Sequence, residues 1–115
     1  VENDARLFSI VYNSLPQQAD EVEPMMNIIV WKEGLDTVSV LFPRCKHRPD
    51  CYSKEGDEQY LISPGALDMG GLLILPRQTD FERIDERLLM EVMKEVVLPT
   101  KAMEEVTKKI RNKGI

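Results

Sequence analysis

Between Met26 and Phe42 the chain reads "MNIIVWKEGLDTVSVLF", two apolar, branched runs on either side of a short polar turn. Met26 to Lys32 is the first candidate strand, Glu33 to Asp36 the turn, and Thr37 to Phe42 the second strand. Gly34 supplies the backbone freedom that the turn of an antiparallel hairpin needs. No other feature constrains the fold as tightly, because a hairpin sets the register and so the face on which each side chain stands. Val38, Val40 and Phe42 alternate with Thr37, Ser39 and Leu41, which predicts one strongly buried face.

Around this hairpin the other segments fall into place by pattern. Arg6 to Asn13, "RLFSIVYN", is rich in aromatic and branched residues and reads as a further strand. A polar stretch with two prolines, Ser14 to Pro24, follows as a loop. Pro43 to Tyr60 is a long polar loop of the kind that often carries function. "SPGALDMGG" turns the chain into "LLILP", read as a buried strand from Leu72 to Leu75. Thr79 and Glu82 have the spacing of a capping box, and Asp85 offers a second helix start. Ile84, Leu88, Val92 and Val96 recur every four residues, with Leu89 and Met93 beside them. Pro99 closes that helix, and another begins near Thr100 with Met103, Val106 and Ile110 on one face. The expectation is one α+β domain: an antiparallel sheet followed by two C-terminal helices on one of its faces.

The bulk properties narrow the function. At 115 residues, with 43% apolar and 30% charged residues, the chain is sized for a single packed domain rather than disorder. A net charge of -5 argues against a dedicated nucleic-acid binder. No apolar run is long enough for a membrane span, and no signal-peptide core is visible. Cys45 and Cys51 are the only cysteines, and a reducing cytoplasm is the expected compartment. The chain opens at Val1 without an initiator methionine, so it is expected to be the C-terminal part of a longer protein.

The densest chemistry lies in "RCKHRPDC", Arg44 to Cys51. Cys45, His47 and Cys51 are competent zinc ligands, but a structural site needs a fourth, and no further Cys or His exists. No metal and no cofactor is therefore expected. Cys45 with His47 could form a nucleophile and base, although such pairs usually come from separate parts of a fold with an orienting third group. Arg44, Lys46 and Arg48 could bind an anion just past a strand end. Asp50, Glu55, Asp57 and Glu58 follow closely and could neutralise them instead. Gly70 and Gly71 would let a ligand approach the backbone, yet the Lys-Ser/Thr ending of a Walker loop is absent. Asn27, at the start of an apolar strand, either caps its entry or points an amide into a site. Trp31 reads as a core or interface residue.

In their order, "MMNIIVW", "LFPR", "ISPGALDMGGLLILP" and "DFERI" resemble the C-terminal half of histidine-triad-like nucleotide phosphorylases. That group includes diadenosine tetraphosphate phosphorylases (ATP adenylyltransferases) and GDP-hexose phosphorylases such as the plant GDP-L-galactose enzyme. The likeness runs from about Phe8 to Val97 and is strongest to a bacterial branch of the Bacteroides type. It implies a histidine-triad-like half-domain, and a parent enzyme whose triad histidine attacks the α-phosphate of a dinucleoside polyphosphate or GDP-sugar. His47 is the sole histidine here and is followed by Arg48 and Pro49, so it cannot be that triad. No catalytic residue is expected in this chain, and the nucleophile would come from an N-terminal catalytic half of the same protein. The resemblance assigns Asn27 and Arg44 to phosphate or sugar contacts, with Lys46, His47 and Arg48 as electrostatic helpers. Ser63 and Gly65 to Gly71 would be structural. A nucleotide or nucleotide-sugar is the expected ligand, and a homodimer is compatible with it. The rival reading is a binding or oligomerisation module without nucleotide chemistry.

Overall fold

The structure, a computed structural model, describes residues 2–114. It is an α+β arrangement. Helix α1 spans Glu2–Ser14, and strands β1 (Met26–Glu33) and β2 (Asp36–Pro43) form a two-stranded antiparallel sheet. Two 3-10 turns follow at Asp50–Ser53 and Gly56–Glu58. Four helices complete the described chain: α2 (Ala66–Met69), α3 (Gln78–Arg83), α4 (Glu86–Val96) and α5 (Thr100–Asn112). No helix of the described residues is long and apolar enough to cross a membrane.

The hairpin forms where the pattern placed it. Its register pairs Ile28 with Leu41, Val30 with Ser39, Trp31 with Val38 and Glu33 with Asp36. Gly34 in the turn adopts φ +61°, a left-handed conformation that a side chain would make costly. The strongly buried face is not found. Val40 is 36% exposed and Trp31 43%, while Val38 and Phe42 are half-buried. A sheet of two strands has too little cover to bury a whole face, so its apolar residues remain partly open.

Arg6 to Asn13 is not a strand; it lies within α1. Its branched and aromatic residues favour a strand locally, but Leu7, Phe8 and Val11 also share one helical face. That face lines a groove of about 440 Å³ against Ile28, Val30 and Leu41 of the hairpin. Phe8 and Tyr12, one turn apart, place their rings 5.8 Å from each other. Ser14 Oγ donates to Ile10 O at 2.7 Å, and Lys113 Nζ donates to Ser14 Oγ at 3.2 Å, tying α1 to the end of α5. Tertiary packing has overridden a weak local preference.

Leu72 to Leu75 is neither a strand nor buried: Leu72 is 62% exposed and Ile74 50%. The first C-terminal helix is split. Thr79 is not its cap, because α3 already starts at Gln78 and stops where Ile84 turns extended (φ -66°, ψ 139°). Asp85 then caps α4, its Oδ1 accepting from Leu88 N at 2.7 Å. The apolar stripe behaves as expected along α4 and α5: Val92, Val96 and Val106 are buried, as are Leu15 and Ile62.

Inside α3 stands a buried carboxylate. Asp80 has no exposed surface. It accepts from Arg77 Nε and Nη2 at 2.9 Å, from Arg83 Nη2 at 3.1 Å and from Leu61 N at 3.0 Å. Both arginines also donate to Gln59 O, at 3.0 Å each, and Arg83 lies 4.4 Å above the Tyr60 ring. The Gln59–Leu61 segment is thereby fastened to α3. Hydrogen bonds from Arg77 outweigh burial and hold the Asp80 carboxyl down at about 2. Because its pKa falls on folding, Asp80 stabilises the protein fully above the ordinary carboxylate range. That contribution fades as pH drops through 4 towards 2. Asp80→Asn should lower unfolding stability in urea by about 3 kcal/mol, the lower end for breaking a buried ion pair, since the arginines keep some contact with water. The variant should also lose part of the decline in stability that the unmodified protein shows on acidification over that interval.

Candidate functional site

The end of β2, the basic loop after it and the end of α4 meet at Arg44. Its backbone closes the seam: Arg44 N donates to Met25 O, Cys45 N to Val96 O and Leu98 N to Pro43 O, each at 3.0 Å. An isolated antiparallel bridge joins Arg44 to Val97. The side chain is only 8% exposed. Its Nη1 donates to Asn27 Oδ1 at 3.0 Å and, more closely, to Pro64 O. Its Nη2 donates to Lys46 O and His47 O, both at 2.9 Å. Nε is buried and has no partner among the described residues.

All four acceptors are neutral. The cation is held by carbonyl dipoles and an amide, and no carboxylate among the described residues is bonded to it. Burial lowers its pKa, while Asp68 and Cys45 act through space in the opposite direction. An arginine so lowered still carries its charge at neutral pH. The loop is therefore wrapped around a positive centre that is only partly compensated.

Asn27 and Arg44 are brought together, as are Arg44 and the carbonyls of Lys46 and His47. The other basic side chains diverge. Lys46 Nζ forms a close pair with Asp50 and lies 2.9 Å from Glu95 Oε2, and those two hydrogen bonds raise its pKa. Lys46 correspondingly lowers the pKa of Asp50. His47 Nε2 lies 3.2 Å from Glu21 Oε1. Arg48 Nε reaches Ser63 Oγ at 3.4 Å, and its guanidinium stacks 4.2 Å over the Tyr52 ring. Arg48 thus combines exposure, a hydroxyl neighbour and an aromatic platform, whereas Lys46 is neutralised by two carboxylates. A depression of about 190 Å³, lined by Glu21, Glu23, Asn27, Arg44 and His47 among others, opens on the other side of the loop.

The two cysteine readings lose their geometry. Cys45 Sγ lies 3.2 Å from both Glu95 O and Val97 O and shares its single hydrogen between them, while His47 turns to Glu21. Burial pushes the Cys51 thiol up, away from the thiolate form. Among the described residues no group of three or more His, Cys, Asp or Glu could hold a metal ion.

Of the three organising carboxylates, two carry no sequence signal that singles them out as partners of this loop. Glu95 and Glu21 are remote in sequence from the bases they pair with. Asp68 could have been found, since it stands three residues after Gly65 in the turn. Its Oδ2 accepts from Gly65 N at 2.8 Å and its Oδ1 from Ile74 N at 3.1 Å. The turn also fits tightly: a Cβ on Gly70 would lie 3.1 Å from Ile29 Cδ1. Replacing the Arg44 fork leaves the carbonyls of Lys46, His47 and Pro64 without their donor. Arg44→Met should cost about 3 kcal/mol in urea unfolding, and Arg44→Lys should restore less than half of it. Amide exchange across Lys46 to Arg48 should quicken in both variants.

No curated protein and no solved structure matches the chain. A family model does, under the description "GDPGP1-like, C-terminal domain", over residues 5–114. The likeness to the C-terminal part of GDP-hexose phosphorylases, first seen in "LFPR" and "ISPGALDMGG", is borne out by that match. Since it covers nearly every residue, the chain belongs to the GDPGP1-like C-terminal domain family.

Proposed function

We propose that this chain is the C-terminal, substrate-supporting domain of a nucleotidyltransferase or phosphorylase acting on a GDP-sugar or a dinucleoside polyphosphate. Family membership as a C-terminal domain carries the reading, and it supplies an N-terminal region of the same protein as the partner. In this reading a histidine of that region attacks the α-phosphate, the sugar phosphate or second nucleotide leaves, and a histidyl-nucleotide forms. Inorganic phosphate then attacks the same phosphorus, the P–N bond breaks, and the nucleoside diphosphate is released, freeing the histidine. His47 takes no part as nucleophile.

The domain's share is electrostatic and positional. Arg44 fixes the loop through its carbonyls and leaves a net positive centre behind it. Asn27 spends its oxygen on Arg44, which turns its amide NH2 into the group available to a phosphate or sugar oxygen. Arg48 and His47, at the loop surface, complete the contacts. Lys46 contributes mainly by holding Asp50 and Glu95 in place.

The test is the melting temperature of the intact protein with a GDP-hexose or diadenosine tetraphosphate. Bound ligand at a hundredfold excess over its Kd should add about 2.7 kcal/mol of stability. Arg48→Ala should reduce the upward shift at least severalfold while leaving the ligand-free melting temperature nearly unchanged. A protein that melts at one temperature with or without any nucleotide would favour the binding module, whose surface would include the half-exposed Trp31 and Val30.

A further inference from the structure

The segment Leu72 to Leu75 has the composition of a core strand and no strand beside it. Its exposures alternate: Leu72 (62%) and Ile74 (50%) face outward, while Leu73 and Leu75 are half-buried. Its backbone alternates too. Leu72 N donates to Leu67 O at 2.9 Å, and Ile74 N donates to Asp68 Oδ1 at 3.1 Å. Leu73 N and Leu75 N have no acceptor among the described residues, and no carbonyl from Leu72 to Leu75 accepts a hydrogen bond there. In a strand successive N–H groups point to opposite edges. The donors of one edge are therefore taken by the segment's own turn, and the other edge offers open donors at Leu73 and Leu75 in strand spacing.

The segment is also held at both ends. The Asp68 carboxylate and the α2 turn fix its start, and the Arg77–Asp80 pair anchors the chain just past its end. Its order does not depend on the open edge, so a pairing strand would meet a backbone already arranged for it. Four apolar residues with one free edge form the kind of strand that proteins cover rather than leave in water.

We propose that Leu72–Leu75 is an edge strand completed by an apolar β-strand from the N-terminal region of the same protein, a β-augmentation within one polypeptide. This rests on the chain's being the C-terminal domain of a longer protein and on no nucleotide chemistry. Two features favour that source over a second copy of the chain. A tethered segment is present at millimolar effective concentration, and a net charge of -5 makes two copies repel each other.

Amide hydrogen exchange of the intact protein tests it directly. Leu73 and Leu75 should exchange at least ~100-fold more slowly than unstructured amides, as buried ladder bonds do, and tenfold dilution should not change this. Free exchange at Leu73 and Leu75, with Leu72 and Ile74 still protected, would overturn the proposal. Protection that disappears on dilution would assign the edge to a second copy and overturn the choice of partner. Leu73→Pro removes one donor and should loosen the N-terminal region to protease, whereas Leu73→Ala, which keeps the N–H, should loosen it much less. Should Leu73→Pro fail to fold, the exchange rates of the unmodified protein decide alone. Protection at both amides in a protein that ignores nucleotides would refute the nucleotide reading and leave this one standing.

Discussion

One guanidinium joins the two ends of this fold. Arg44 stands where β2 leaves the hairpin; its N–H donates to Met25 O, it bridges to Val97, and Cys45 N beside it donates to Val96 O. Its side chain then gathers the basic loop, the Ser63–Gly71 turn and the start of β1 onto one point. Arginine suits the place because a planar fork can serve four acceptors, which an ammonium on a flexible stem cannot. The cost is a buried charge without a bonded carboxylate. Buried charges are normally paired, and those that are not tend to sit where a field is useful. A phosphate nearby would relieve the imbalance that the loop maintains.

The second polar centre divides the work differently. Asp80 is the mirror case, a buried anion fully matched by two arginines and a backbone N–H. It fastens Gln59–Leu61 to α3, and the nitrogens of both guanidiniums are taken up by Asp80, Gln59, Thr79 and Asp57, so its role is structural. Arg48 belongs to neither centre: it is exposed and stacks on the Tyr52 ring. The distinction between Lys46 and Arg48 follows from the same accounting of partners: two carboxylates cancel the first, and none among the described residues bonds the second.

How much of this is legible in the chain depends on how local each interaction is. The hairpin can be read because its signal is complete within itself: branched runs, a polar turn and Gly34. The α4 start is legible for the same reason, since Asp85 caps its own helix. Arg6 to Asn13 misleads because its residues satisfy a strand pattern and a helical face alike. The choice is made by α5 and the hairpin, far along the chain. Leu72 to Leu75 has the composition of a strand, and its side-chain alternation is that of a strand, but a ladder needs a neighbour. Arg44 and Asn27 can be singled out through family resemblance, yet nothing in sequence spacing discloses that they bond each other. Glu21 and Glu95 escape a reading of the sequence outright, because pairs formed across tens of residues leave no periodic trace; Asp80 stands three residues from each of its arginines, but its bond to Leu61 N and its burial come from a distant segment.

The claim on which the functional account turns is that this domain assists chemistry begun by a histidine elsewhere in the same protein. The most direct measurement is the intact mass of the whole protein after incubation with a GDP-hexose or diadenosine tetraphosphate in the absence of phosphate. The account predicts a gain of one nucleoside monophosphate, lost when phosphate is added and unaffected by His47→Ala. A folded protein that gains no mass with any nucleotide, or an adduct that maps to His47, would contradict it.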